Sequence, residues 1–420
     1  MKKKNIYILL LLVVVSAFLF LLEKRTEIKT HLNTYSKFLK IISTIESLDN
    51  IDISSNETLI NSDNHLYNVK FLPESYLLNL DLSKYKLKDS KNNEINHSFF
   101  LEAYKNKIIL TTSTGNFYFL EEKKIFDQQN NLGFVSINSN LDTSKLSRIL
   151  DIFVNNEKIF VSLIDERDKC QIFKIYSGNI NLNKISFKEF FVSNECGEYV
   201  LAGRMKEYVY NDNPGLLVTT HNDVPDNSTN NPQDEKSLYG KILHIDYFSK
   251  KVSIISKGHR NSQGLFVDGS LILSTEHGPQ GGDEINKIII DGNYGWPIAS
   301  YGKPYNDEQK DLYKKNHEKF DFIEPIFSFV PSIAISEIVK IPNKFYSIDE
   351  LKNIFLVSSL NGRSLYFIKF DDQYERLIFI QKIFIGERIR DIIYIEKLNI
   401  FLLALEETFS LGALKVINQK

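Results

Sequence analysis

The sequence predicts an all-β fold, and three observations carry that prediction. From about residue 60 to the C-terminus, short runs rich in Ile, Phe, Tyr and Val recur. Asn, Asp, Gly and Lys separate them, as turns between strands require. No long amphipathic helical pattern interrupts the series. Strands this short and this evenly spaced suit a sandwich, a barrel or a propeller. The length after residue 49 suits about six propeller blades at ~40–60 residues each, although no blade-to-blade repeat is visible in the sequence.

The elements follow in chain order. Lys2 to Lys4 precede the unbroken apolar run IYILLLLVVVSAFLFLL, Ile6 to Leu22. That run is at the short end of what crosses a bilayer and long for a signal-peptide core. Lysines ahead of it favour a cytoplasmic N-terminus, so residues 1–25 are predicted to be an uncleaved signal-anchor, a transmembrane helix with the rest of the chain exported. Cleavage after Ala17 is the alternative. Ile28, Leu32, Tyr35, Leu39 and Ile42 then recur at helical spacing, which predicts a short helical stalk over 26–49. Such a stripe leaves the oligomeric state open. The resulting expectation is a single-pass protein of a bacterial inner membrane whose 50–420 domain faces the periplasm.

Within that domain the predicted strands include SYLLNLDL, KIILTTS, NFYFLE, EKIFVSLI, GKILHIDY, SLILSTE, NIFLVSSL, SLYFIKF and RLIFIQKIFI. LFVDGSLILSTE reads as a hairpin turning at Asp268-Gly269. Cys170 and Cys196 are the only cysteines and flank the runs QIFKIY and ISFKEFFVS. In an oxidising compartment they are expected to pair, and without a CxxC spacing they do not suggest a metal site. The 51 basic and 53 acidic residues nearly cancel, which argues against a nucleic-acid partner.

One stretch is chemically distinctive. Within GHRNSQGLFVDGSLILSTEHGPQGGDEINKIIIDGNYGWPIASYG, Gly258 to Gly302, the segment STEHGPQGGDEIN, Ser274 to Asn286, concentrates Gly, Pro, His and acids between two strand runs. Its pieces HRNSQGL, EHGPQGGDEIN and GNYGWP, with GERIRDI at Gly386 to Ile392, closely resemble the PQQ-dependent glucose/sorbosone (aldose sugar) dehydrogenase family. The resemblance runs over roughly Gly197 to Leu411. It implies a six-bladed β-propeller with its site at the mouth of the central channel. It further implies pyrroloquinoline quinone (PQQ) and calcium as cofactors and a small-molecule sugar or other alcohol as substrate.

By position, the resemblance places Arg260 and Asn261 against the quinone, and Arg388 and Arg390 on its carboxylates. Arginine suits that task independently, because its planar fork of donors matches a carboxylate. The spacing in ERIR sets both arginines on one side of a strand. The resemblance assigns the carbonyls of Gly278 and Pro279 to calcium, a cation that takes oxygen ligands. Asp283, Glu284 and Tyr294 fall at positions tied to a second, structural calcium.

The departures are equally informative. The family's general base, a histidine four residues before the arginine of its GGRL-like segment, is replaced here by Val200 of YVLAGRM. Tyr199 stands where an aspartate partner is usual, and Asn361 of LNGR lies nearest the place of a quinone-contacting lysine. Valine accepts no proton, and a general base is worth ~10²–10⁴-fold in rate. His221 of TTHND is the candidate substitute base, with His277 of TEHGP a structural or substrate-lining residue. Two readings follow: a membrane-anchored, exported PQQ-dependent sugar dehydrogenase with a shifted base, or a catalytically inactive propeller binding a sugar or glycan in the periplasm.

Overall fold

Where the six innermost strands of the chain meet, they close a ring. The computed structural model describes residues 64–71, 76–126, 131–167, 170–197, 201–221, 231–305, 312–346 and 352–417. Among them the strands form six sheets. The first strand of each sheet lies beside the first strand of the next: Phe99–Tyr104, Leu146–Asn155, Ala202–Tyr210, Ser262–Asp268, Ile335–Lys340 and Ile389–Ile395, which returns to Phe99–Tyr104. This is a six-bladed β-propeller, and these strands head its first to sixth blades. Predicted signal-anchor and stalk residues lie outside the described part of the chain. Among the described residues no helix is long and apolar enough to cross a membrane.

The ring is sealed by chain ends far apart in sequence. Tyr76–Lys88 joins the sixth blade by pairing antiparallel with Ser410–Ile417, from Asn79 opposite Ile417 to Lys86 opposite Ser410. One sheet thereby holds both ends of the described chain.

The strands read as near-continuous apolar runs because both their faces are covered by neighbouring blades. In Ile400–Leu405 every residue is buried. Phe401, Leu403 and Leu405 pack toward the fifth blade with Phe367 and Leu356. The alternate residues Ile400, Leu402 and Ala404 pack toward the first blade with Leu101 and Leu110. Period-two alternation thus feeds two cores at once. The hairpin at Asp268 forms as the sequence implies, with Asp268 opposite Leu271 and Gly269 at φ 60°. Cys170 and Cys196 form a disulfide with Cα atoms 5.3 Å apart. It ties the start of an outer strand of the second blade to the segment leading toward the third.

Candidate functional site

The inner strands carry polar side chains where they face one another, and one arginine organises them. Arg204 Nη1 lies 3.0 Å from Asp151 Oδ1, 3.0 Å from Glu337 Oε2 and 2.9 Å from Asp391 Oδ1. Its Nε donates to the Gln263 carbonyl at 2.7 Å, and its Nη2 to the Arg390 carbonyl at 2.9 Å. Its guanidinium carbon stands 5.2 Å from the centre of the Phe100 ring. One guanidinium therefore touches the inner strands of all five other blades. Gly203 makes this approach possible. It sits at φ 93°, and a Cβ there would meet Leu150 at 2.8 Å, so the backbone beside Arg204 has no room for a larger residue.

Four carboxylates surround two cations here, and for Asp151, Glu102 and Glu337 burial is the leading influence on protonation. Burial pushes the Asp151 carboxyl up to about 7 against the pull of Arg204. It pushes Glu102 up to about 8 against the pull of Lys206, and it raises Glu337 as well. For Arg204 burial acts to lower the pKa, but Glu337, Asp391 and Asp151 together outweigh it and hold the group above its usual value.

Beside this hub opens a cavity of about 320 Å³, at the lower end of the usual range for small-molecule sites. Phe100, Ile149, Leu150, Leu201 and Leu360 supply its apolar wall. Arg148, Arg390, Glu406, His277, Asn261 and Gln263 supply its polar one. Another cavity, of about 260 Å³, opens between Phe126, Phe345 and Lys415. It adjoins none of the inner strands and gathers no such groups.

Arg390 and Asn261, two of the residues assigned to the quinone by position, line the cavity. Arg390 Nε lies 2.6 Å from Glu406 Oε1, Nη2 lies 3.2 Å from Oε2, and Nη1 donates to Gln263 Oε1 at 3.1 Å. Arg388, 39% exposed, reaches the same carboxylate at 3.5 Å. The two arginines do converge on a carboxylate, but the protein supplies it. Burial works to raise the Glu406 carboxyl; Arg390 and then Arg388 outweigh it and hold it below its usual range. Asn261 accepts a hydrogen bond from Gln263 Nε2 at 2.7 Å.

Arg260 lies just outside the cavity wall. Its guanidinium donates to the carbonyls of His277 at 3.1 Å and Gly278 at 3.0 Å, and stands 5.3 Å from the centre of the Trp296 ring. The Gly278 carbonyl expected to bind calcium thus accepts from a cation. The Pro279 carbonyl accepts from the Tyr305 hydroxyl at 3.4 Å.

Asp283 pins the loop. It accepts the Gly278 N–H at 3.0 Å, the Ile333 N–H at 2.9 Å and the Ile335 N–H at 3.0 Å, together with the Ser332 hydroxyl. Four donors fill a carboxylate's lone pairs, so Asp283 offers no open oxygen to a metal. Glu284 is buried with Asn286 Nδ2 at 3.2 Å and His317 Nε2 at 3.7 Å, and burial lifts its carboxyl well above the usual range. Tyr294 stacks on His259 at 4.6 Å, donates its hydroxyl to the Lys287 carbonyl and accepts the Ile289 N–H. Among the described residues no group of three or more acid, histidine or cysteine side chains is arranged to hold a metal ion.

His221 does not fit the role of substitute base. It is buried and is not part of the cavity lining, and its Nδ1 accepts the Leu201 N–H at 3.1 Å. That bond places the proton of the neutral ring on Nε2 and uses the lone pair a base needs. His277 is different. It lines the cavity, and its Nε2 faces the Ile335 carbonyl at 2.5 Å. A carbonyl only accepts, so Nε2 carries the proton and Nδ1 keeps a lone pair. Burial, opposed by Asp283 and aided by Arg260 and Arg390, pushes the His277 pKa down to about 4, so the ring is neutral. Val200 and Tyr199 lie outside the described residues. Asn361 sits exposed on the turn after Leu360.

Sequence reasoning missed Arg148, Gln263 and Glu406. Arg148 and Glu406 sit in ordinary strand-edge sequence that carries no motif. Gln263 stands inside HRNSQGL and was legible as part of that motif, though not in its role.

A family model described as Glucose / Sorbosone dehydrogenase matches residues 99–409. Quinoprotein glucose dehydrogenase B of Acinetobacter calcoaceticus is 43% identical over 72 residues, 17% of this chain and 13% of that protein. An aldose sugar dehydrogenase of Escherichia coli is 32% identical over 123 residues, 25% of this chain and 32% of that one. The matched stretches therefore span about a third or less of these curated relatives. The PQQ-bound form of an aldose sugar dehydrogenase from Streptomyces coelicolor superposes with a TM-score of 0.58 at 16% identity. The match covers 80% of this chain and 98% of that one, and at that identity the likeness concerns the fold.

Proposed function

This chain belongs to the glucose/sorbosone dehydrogenase family, and on that premise we propose that it oxidises an aldose or another small alcohol with PQQ as its redox cofactor. The observation that carries the proposal is the cavity wall itself. Arg390, Arg148, Asn261 and Gln263 line it with guanidinium and amide donors, and Phe100 and aliphatic side chains complete the lining. That donor set fits a flat, tricarboxylated quinone. Arg390 and Arg148 would hold carboxylates, Gln263 and Asn261 would orient the ring system, and the apolar wall would exclude water.

When bound, PQQ supplies the two-electron acceptor that takes hydride from the substrate carbon. The substrate hydroxyl needs a proton acceptor in the same cavity. His277 Nδ1 holds the one neutral imidazole lone pair on the wall among the described residues, and we assign it that task in place of His221. Hydrogen bonding of Nε2 to Ile335 fixes the tautomer.

Calcium does not fit the present arrangement. The Gly278 carbonyl is held by Arg260 and Asp283 is fully bonded, so no step of the proposal passes through a metal. Anchoring by Ile6 to Leu22 and placement in the periplasm belong to the proposal as well. The Cys170–Cys196 disulfide supports an oxidising compartment.

A second reading, binding of a sugar or glycan without turnover, is favoured by the Arg390–Glu406 pair, which occupies the fork a quinone carboxylate would use. The test is to add PQQ to the purified chain, look for bound-quinone absorbance, and follow dye reduction across an aldose panel. Quinone binding with turnover supports the first reading. Sugar binding without quinone binding supports the second.

A further inference from the structure

The cavity contains its own anion. Glu406 is gripped side-on by the Arg390 fork at 2.6 and 3.2 Å and touched by Arg388 at 3.5 Å. The remaining edge of Arg390 is spent on Gln263. Arg148, which also lines the cavity, is exposed, and its side chain makes no hydrogen bond or ion pair among the described residues.

We propose that Glu406 is a built-in competitor for the arginine pair, so that a polycarboxylate ligand is seated only by displacing Glu406 from Arg390. The inference rests on the quinone reading of this cavity and goes beyond it by naming the residue that sets how tightly, and how selectively, an anion binds. Two carboxylates facing one guanidinium edge repel each other, and the incoming one gains only the difference between its own pairing and that of Glu406. Arg148, with no pairing to give up, is the cation that meets the ligand first.

Glu406→Gln isolates this effect. The amide keeps an oxygen for Arg390 Nε and the same shape, while the competing charge disappears. The experiment is equilibrium titration of PQQ into the full chain and its Glu406→Gln and Glu406→Ala variants, at low and high salt. Thermal unfolding of each protein reports its folding. Removing the competing charge is expected to tighten PQQ binding by about tenfold or more, with a steeper salt dependence because an uncompensated cation is left. If Glu406 merely orients the arginines, folded variants will bind PQQ more weakly than wild type or equally well, and the proposal is overturned. If neither wild type nor variants bind PQQ at all, the quinone reading falls with it.

Discussion

Arg204 Nη1 stands 2.9 Å from Asp391 Oδ1, a contact that joins the inner strands of the third and sixth blades across the middle of the ring. Asp151 and Glu337 converge on the same nitrogen, so three buried acids share this one guanidinium nitrogen. Removing one partner from a buried ionic group leaves the others uncompensated. Arg204→Met is expected to lower stability by about 3–5 kcal/mol. Denaturant unfolding monitored by tyrosine fluorescence checks it. A loss below about 1 kcal/mol would mean the acids are protonated and need no arginine.

The same cluster makes stability depend on pH. Glu102, raised to about 8, and Asp151, raised to about 7, hold their protons more tightly folded than unfolded. Their contribution is complete below the ordinary carboxylate range and is lost as pH rises through about 7 to 8. Unfolding free energy should therefore fall from about pH 4 to about pH 8. Glu102→Gln, which cannot ionise, should flatten the upper part of that fall. A flat wild-type profile would show that Lys206 and Arg204 already neutralise the acids.

His277 and His221 separate by their readouts. His277→Gln should lower kcat by ~10²–10⁴-fold while changing PQQ affinity only slightly. His221→Ala removes the acceptor of the Leu201 N–H and should lower stability by about 1–3 kcal/mol with a smaller effect on kcat. The opposite pattern would return the base role to His221.

The Cys170–Cys196 disulfide closes a segment with a sequence separation of 26. Replacing both cysteines by serine should cost about 2–4 kcal/mol, read as a lowered denaturant midpoint that reductant reproduces in the wild type.

Much of the fold was legible in the sequence for a physical reason. Strands buried on both faces, such as Ile400–Leu405 and the first four residues of Ile354–Ser359, are unbroken apolar runs, and Asp268-Gly269 marks its hairpin by turn chemistry. The closure between Asn79 and Ile417 was not legible, because a register between distant segments leaves no local trace. Arg390 and Asn261 were legible through the motifs that hold them. Glu406 was not, since its meaning depends on Arg390 arriving from a neighbouring strand. Nor could the sequence reveal that the His221 lone pair is spent on Leu201, or that four backbone and hydroxyl donors fill Asp283. Those are facts of hydrogen bonding rather than of residue type.

The most direct test of the central claim is a crystal structure of the chain grown with PQQ. The account predicts the quinone inside the cavity beside Phe100, its carboxylates on Arg390 and Arg148, with Glu406 swung away from Arg390. An empty cavity, or a quinone bound elsewhere with the Arg390–Glu406 pair intact, would contradict it.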